Sequence, residues 1–233
     1  MTTPYLTFTP YLTFTVDQKT ADDLAYLVAQ AKNGLSDADK KLSVAMLTEV
    51  YCALLDTCFG ELLKQVNEKH DIKTLAEAQA VIEEIQSKAR HYMGWISGFL
   101  ATEKVIKVIH HFDSLVVKAE PGSDQAHFLK LPISVALSEK ASLNLNSLID
   151  GSSTNIEQGI EILIEATDAA IVHVVEDPKR IMKFNLVVDK TLGGVIGLLK
   201  GVGYKIIRKL GKQLPEDSYV MVATHLGSFV VTK

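Results

Sequence analysis

Two long stretches in which apolar residues recur at alternating steps of three and four most constrain what this chain can fold into. The first, "SDADKKLSVAMLTEVYCALLDTCFGELLKQVNEKH", lays Val44, Leu47, Tyr51, Leu54, Leu55, Cys58, Leu62 and Val66 along one face. That is the period of an amphipathic helix. Ser36 stands three residues before Asp39, the spacing of a capping box. The second, roughly 74–112, carries Leu75, Ala78, Ile82, Ile85, Ala89, Tyr92, Ile96 and Phe99 on its seam. At 1.5 Å per residue each stretch predicts a helix of about 35 residues and about 50 Å. The short "DIK" connection makes the two antiparallel neighbours. The expected fold is therefore mainly α: an elongated multi-helix bundle around a long antiparallel helical hairpin.

The rest of the chain fills in that frame. With 233 residues, 47% of them apolar, there is ample material for one core, and residues 1–233 read as a single mainly helical domain. The one candidate break is 120–127, where "EPGSD" separates the β-branched pieces "SLVVKA" and "HFLKLPI" and suggests a hairpin. A first helix is expected from Thr20 as N-cap to Gly34, and further helices at about 134–149 and 154–177, the latter stopping near Pro178. The tail "SYVMVATHLGSFVVTK" reads as two strands about "HLGS". A tandem repeat, "TPYLTF" at 3–8 and 9–14, can add a strand to that hairpin, giving a small β element from the termini.

Charge and cysteine usage exclude several function classes. A net charge of −4 argues against nucleic acid as a partner. Cys52 and Cys58, six apart on a helix, point about 240° apart and cannot bridge each other, so two buried thiols in a reducing compartment are expected. No signal peptide is evident and no uninterrupted apolar run reaches the roughly 18–20 residues of a spanning helix, which makes the cytoplasm the default location. Export without an N-terminal signal remains compatible with the sequence.

Catalytic signatures are sparse. "GWISG" places Ser97 wrongly for a nucleophile elbow, "LGK" at 210–212 lacks the rest of a phosphate loop, and "DKT" at 189–191 continues "LGG". Glu84 and His91, Glu103 and His110, and His173 with Glu176 recur at helical spacing, but no Glu-x-x-His of a di-metal bundle occurs. No cofactor is expected. The drift of the second seam past Phe99 is better met by Leu100, Val105, Ile109 and Phe112 taking over the burial. The run Glu157, Glu161, Glu165 and Asp168 reads as a solvated face.

The segment "LGGVIGLLKGVGYKIIRKLG" is the strongest functional handle. Five glycines inside a helix forgo about 4–5 kcal/mol relative to alanine. Gly193, Gly197 and Gly201 are spaced by four, a groove for a close backbone, and Gly94 and Gly98 offer a matching pair. On that reading Gly197→Leu would overpack the crossing. The other side carries Leu192, Val195, Ile196, Leu199, Val202, Ile206 and Leu210. Lys205, Arg208, Lys209 and Lys212 form one basic patch, and 190–212 holds six cations and no acid. The expected function is non-enzymatic: a helical interaction or regulatory protein that uses a protein partner or self-association through helical faces. The alternative is a membrane-active or lipid-binding protein that lays 190–212 on an anionic membrane. A metal-dependent bundle enzyme is the third class.

Overall fold

The structure, a computed structural model, describes residues 9–96, 100–117 and 127–231. It is mainly helical with one small sheet. In chain order the elements are β1 (Tyr11–Val16), α1 (Gln18–Ala31), α2 (Asp37–Leu55), α3 (Glu61–Asn67), α4 (Lys73–Ile96), α5 (Thr102–Leu115), β2 (Val116–Val117) and β3 (His127–Pro132). Then come α6 (Val135–Ile149), α7 (Ile156–Ile171), α8 (Asp177–Met182), α9 (Leu186–Leu198), α10 (Tyr204–Gly211), α11 (Tyr219–Phe229) and β4 (Val230–Val231).

The hairpin is present. Ser36 and Asp39 form the reciprocal capping box that starts α2. A π turn at Asp56–Gly60 carries α2 into α3 without interrupting the helix, and all eight seam residues from Val44 to Val66 are buried. α4 packs antiparallel to α2: Gln86 donates to the Cys52 carbonyl (3.1 Å) and to Asp56 (2.9 Å), and Arg90 grips Glu49. The stretch Asp37–Asn67 is, among the described residues, the one helix long and apolar enough to cross a membrane, but 67% of its most apolar window is buried as core.

The second long helix does not run to 112. Leu100 and Ala101 are not helical, and α5 starts afresh at Thr102 with Ala101 extended (ψ 129°). The break lets Leu100 turn inward and re-aims α5, whose Val105, Val108, Ile109 and Phe112 are buried against α1 and α8. The transfer of burial to Leu100, Val105, Ile109 and Phe112 is thus realised, in a helix that starts anew at Thr102.

Two other boundaries differ from expectation. α1 is capped by Asp17, whose carboxylate accepts from the Thr20 N–H (2.8 Å) and hydroxyl (2.7 Å), so Thr20 is inside the helix. Past α7 a π turn, Val172–Glu176, leads into α8, so Pro178 opens a further helical turn instead of ending the helix. In the π turn the Asp177 N–H reaches back five residues to the Val172 carbonyl, widening the helix just where proline lacks a donor. The helix ends at Lys183, left-handed at φ 48°.

The tail is helix rather than hairpin: Val222, Ala223, Leu226 and Phe229 are buried along α11, and tertiary packing overrides the strand preference of "YVMV". Among its described residues only Val230 and Val231 are extended, and they pair with β1. The sheet order is β2-β3-β1-β4, antiparallel where paired, with Leu12 opposite Leu131 and Phe14 opposite Leu129. The second copy of the repeat is therefore a central strand with Leu12 and Phe14 in the core, and Phe14 stacks on Phe229 at 5.5 Å. The first copy, 3–8, lies outside the described residues, as do Ser97, Gly98 and the "EPGSD" turn. Its flanks do pair, Val116 with Leu129 and Val117 with Phe128.

Candidate functional site: the glycine-rich helix and the cavity beneath it

From Leu186 to Gly211 the chain is helical throughout, α9 passing through a third π turn (Leu199–Gly203) into α10. Asn185 starts it, its side chain accepting from the Val188 N–H. Val188, Leu192, Val195, Ile196, Leu199, Tyr204, Ile207 and Leu210 face inward and are buried.

The glycines divide into two sets by what lies across from them. A methyl group at Gly193, Gly194, Gly197 or Gly201 would meet nothing within 4 Å, and these four lie on the solvent side. The expected close crossing with Gly94 is absent, since a methyl there also meets open space. Gly98 lies outside the described residues. The close approaches are elsewhere. At Gly203 a methyl would come within 3.0 Å of Leu199 and 3.3 Å of Ile85, and at Gly211 within 2.8 Å of Ile160. Sequence spacing held the clue: Gly203 is four from both Leu199 and Ile207, on the apolar face, whereas Gly193, Gly197 and Gly201 share the opposite one. Val202 joins that outer face, 47% exposed, rather than the core.

The basic residues are not a free patch. Arg208 makes a bidentate pair with Glu161 (2.6 and 2.9 Å), Lys209 reaches Glu77 (2.9 Å), and Lys212 lies 3.8 Å from Glu157. Lys200 meets Asp168 at 2.9 Å, which also accepts from the Tyr204 hydroxyl at 3.0 Å. Three of the four acids in the α7 run, Glu157, Glu161 and Asp168, are thus counter-charges to cations between Lys200 and Lys212, while Glu165 pairs with Lys140 of α6. These pairs hold the carboxyls of Glu161 and Glu77 below their ordinary values, chiefly through the hydrogen bonds from Arg208 and Lys209. All of these pairs are substantially exposed, so water screens them. Lys190 and Lys205 are exposed and have no carboxylate partner among the described residues.

Under the inner face of α9 lies an apolar cavity of about 60 Å³, bordered by α2, α4, the turn into α8, and α9. Tyr51 lines it, is 6% exposed, and its hydroxyl has no hydrogen-bond partner among the described residues. An unpaired buried hydroxyl costs roughly 1–3 kcal/mol. Burial pushes the Tyr51 phenol well above its ordinary range, so it stays neutral. From sequence Tyr51 reads as one more seam residue. The small Ala89 on the facing helix is the local signal that space is left beside it.

The groups singled out for metal or nucleophilic chemistry are dispersed. His173 is held between Asp177 (3.2 Å) and the Pro132 carbonyl (2.9 Å), while Glu176 faces Lys179 and Glu84 faces Lys88. Among the described residues no three His, Cys, Asp or Glu side chains converge as a metal site. Cys52 and Cys58 are buried and unbridged, and burial pushes their thiols up to about 11 and about 12. At neutral pH neither presents a thiolate. No protein-family model, curated protein or solved structure matches this chain.

Proposed function

We propose that this protein is a non-enzymatic interaction protein that docks a partner on the solvent face of the 186–211 helix. The observation that carries the reading is the open stripe of Gly193, Gly194, Gly197 and Gly201, flanked by exposed Leu186 (68%), Val187 (61%) and Val202 (47%). Glycine in a helix interior lowers stability by about 0.8–1 kcal/mol per residue relative to alanine, and among the described residues no contact at these four positions calls for it. A backbone approaching from outside does, because only glycine lets two helices meet at the closest distance. Lys190 and Lys205, the cations left over after ion pairing, favour a partner that presents apolar side chains with carboxylates at its edge.

The test is photo-crosslinking in the cells that make the protein, with the reactive side chain at Gly193 and a control at Glu83 on α4. A discrete adduct from position 193 that Gly197→Arg suppresses is the expected result. No adduct above the Glu83 background refutes the reading.

The exposed Leu186 and Val187 beside Lys190 also support a second reading, contact with an anionic membrane. Two free cations contribute about 2 kcal/mol near such a surface, roughly a thirtyfold preference. Co-sedimentation with anionic vesicles at low salt that Lys190→Glu and Lys205→Glu together abolish would favour the membrane over the protein partner.

A further inference from the structure

Of the six asparagines in the chain, five are held by helices. Asn67, Asn144 and Asn146 lie within α3 and α6, while Asn155 and Asn185 cap α7 and α9, accepting from the Gln158 and Val188 N–H groups. Asn33 is different. It lies in the turn between α1 and α2, it is exposed, and it is the one asparagine followed by glycine. Its N–H donates to the Gln30 carbonyl (2.9 Å), but its side-chain amide makes no hydrogen bond among the described residues. Gly34 is exposed as well, at φ 89°, in the left-handed region that favours glycine. Its N–H has no acceptor among the described residues, and a methyl group in place of its hydrogen would meet nothing within 4 Å.

These features combine into a reactive pair. The Gly34 nitrogen and Cγ of Asn33 are joined through three atoms of the chain, so attack of one on the other closes a five-membered ring, and proximity is supplied by the covalent structure itself. Attack needs the peptide between them to rotate. A hydrogen-bonded Gly34 N–H or a side chain on residue 34 would resist that rotation, and neither is present among the described residues. Asp150–Gly151 is the comparable acidic pair, with Gly151 at φ 73°. There the Asp150 carboxylate accepts from the Ser152 N–H (2.8 Å), and hydrogen bonds from Ser152 hold its carboxyl below the ordinary value. An ionised carboxylate is a poor electrophile, whereas the neutral amide of Asn33 is not protected in this way.

We propose that Asn33 is a site of spontaneous deamidation in the folded protein, through a succinimide formed with Gly34. The Gly34 amide gives its proton to hydroxide, and its nitrogen attacks Cγ of Asn33. The new N–Cγ bond forms as the Cγ–Nδ2 bond breaks, and ammonia leaves with a proton returned from water. One water then opens the ring. Addition at Cγ gives aspartate, and addition at the backbone carbonyl gives isoaspartate. Water is the only co-reactant and nothing is oxidised or reduced. Either product places a carboxylate at the C-terminal end of α1, where the helix dipole disfavours it, and isoaspartate lengthens the backbone shortly before the Ser36 capping box. No residue of the 186–211 helix takes part, so this site stands or falls independently of what docks there.

The test incubates the intact folded protein in mildly alkaline buffer beside a sample unfolded in urea, and follows Asn33 by peptide mapping that separates aspartate from isoaspartate. Conversion in the folded protein is expected within about threefold of the rate in urea, because an exposed turn of this kind opens at little cost. Isoaspartate should form together with aspartate, and the rate should rise with pH, since the attacking nitrogen must lose its proton. Asn33→Gln keeps the amide but needs a larger ring, so the acidic species that accumulates on anion exchange should form roughly tenfold more slowly or less. That exposed change leaves the core untouched, so the variant should fold. Persistence of intact Asn33 in the folded protein, conversion to aspartate without isoaspartate, or undiminished formation of the acidic species in Asn33→Gln would each overturn the proposal.

Discussion

Replacing Gly197 by alanine should make this protein more stable, although Gly197 sits in the middle of a helix. Two effects set the sign. Any steric penalty comes from what the new methyl touches, and at Gly197 it touches nothing within 4 Å. The gain comes from the backbone: alanine restricts the unfolded chain and suits the helix, which is worth about 0.4–1 kcal/mol where the native conformation accepts it. With no opposing term the net effect is stabilisation by that amount. For a chain of 233 residues this raises the melting temperature by about 1–4 °C. Had Gly197 been buried in a close crossing, as its spacing from Gly193 and Gly201 suggests, the same change would overpack it and destabilise by about 1–3 kcal/mol. The two accounts differ in sign, so urea denaturation separates them without a precise magnitude. A higher midpoint with an unchanged slope is expected. A lower midpoint with the same slope would refute the assignment of Gly197 to the open face.

Gly211→Ala is the matching opposite: its methyl would stand 2.8 Å from Cγ1 of Ile160, a stiff β-branched neighbour, so destabilisation by about 1–3 kcal/mol is expected, and the added loss should be smaller in an Ile160→Ala background, which removes that Cγ1, in the same denaturation assay. His225 is buried, its Nε2 lies 3.4 Å from the Cys58 carbonyl, and burial lowers its pKa below 6.5. The unfolded chain therefore takes up a proton first as pH falls. Its contribution to stability should be full above about pH 6.5 and be lost as pH drops through that value towards the folded one. Midpoints measured from pH 7.5 to 5 should show a steeper decline in the parent than in His225→Phe, and equal slopes would contradict this. Deleting residues 1–16 removes Leu12, Phe14 and Val16 from the core; at about 1.5–3 kcal/mol each the loss approaches the whole stability of a typical domain. Loss of soluble folded protein is expected, read by circular dichroism of the soluble fraction, and a folded truncation would refute the central placement of β1.

How much of this was legible in the sequence depended on how far apart the cooperating residues lie. The seam from Val44 to Val66 and the capping box at Ser36 are local patterns, and they are realised residue by residue. The second seam is local too, but its continuation through "GWISGFLATE" is not: Ala101 is as good a helix former as any, and only the competing demand to bury α5 against α1 and α8 breaks the chain there. In α11 the β-branched residues outvoted the spacing of Val222, Leu226 and Phe229, because strand preference is a weak guide where a helical face meets a core. The second repeat copy was legible as a strand, but its central place in the sheet depends on β3, more than a hundred residues on.

At the candidate site the same division holds, with one consequence for how the glycine-rich segment works. Periodicity located the inner face of α9, but the role of each glycine depends on the π turn at Leu199–Gly203. A π turn inserts a residue into the helical count, so faces drawn at 100° per residue rotate as they pass it. Upstream, Gly193 and Gly197 stay on the outside. Downstream, the extra residue turns Tyr204 inward beside Gly203 and Ile207, and Arg208 and Lys212 meet the carboxylates of α7. On a uniform helix the glycine groove and the basic patch would lie on neighbouring sectors of one surface. The inserted residue separates them into an uncommitted glycine face and a basic face held by Glu77, Glu157 and Glu161. Whatever docks on the 186–211 helix therefore meets glycine, valine and two lysines rather than a polycationic strip. Its affinity should accordingly depend on shape more than on salt, because the cations that would have answered to ionic strength already have their partners within the fold.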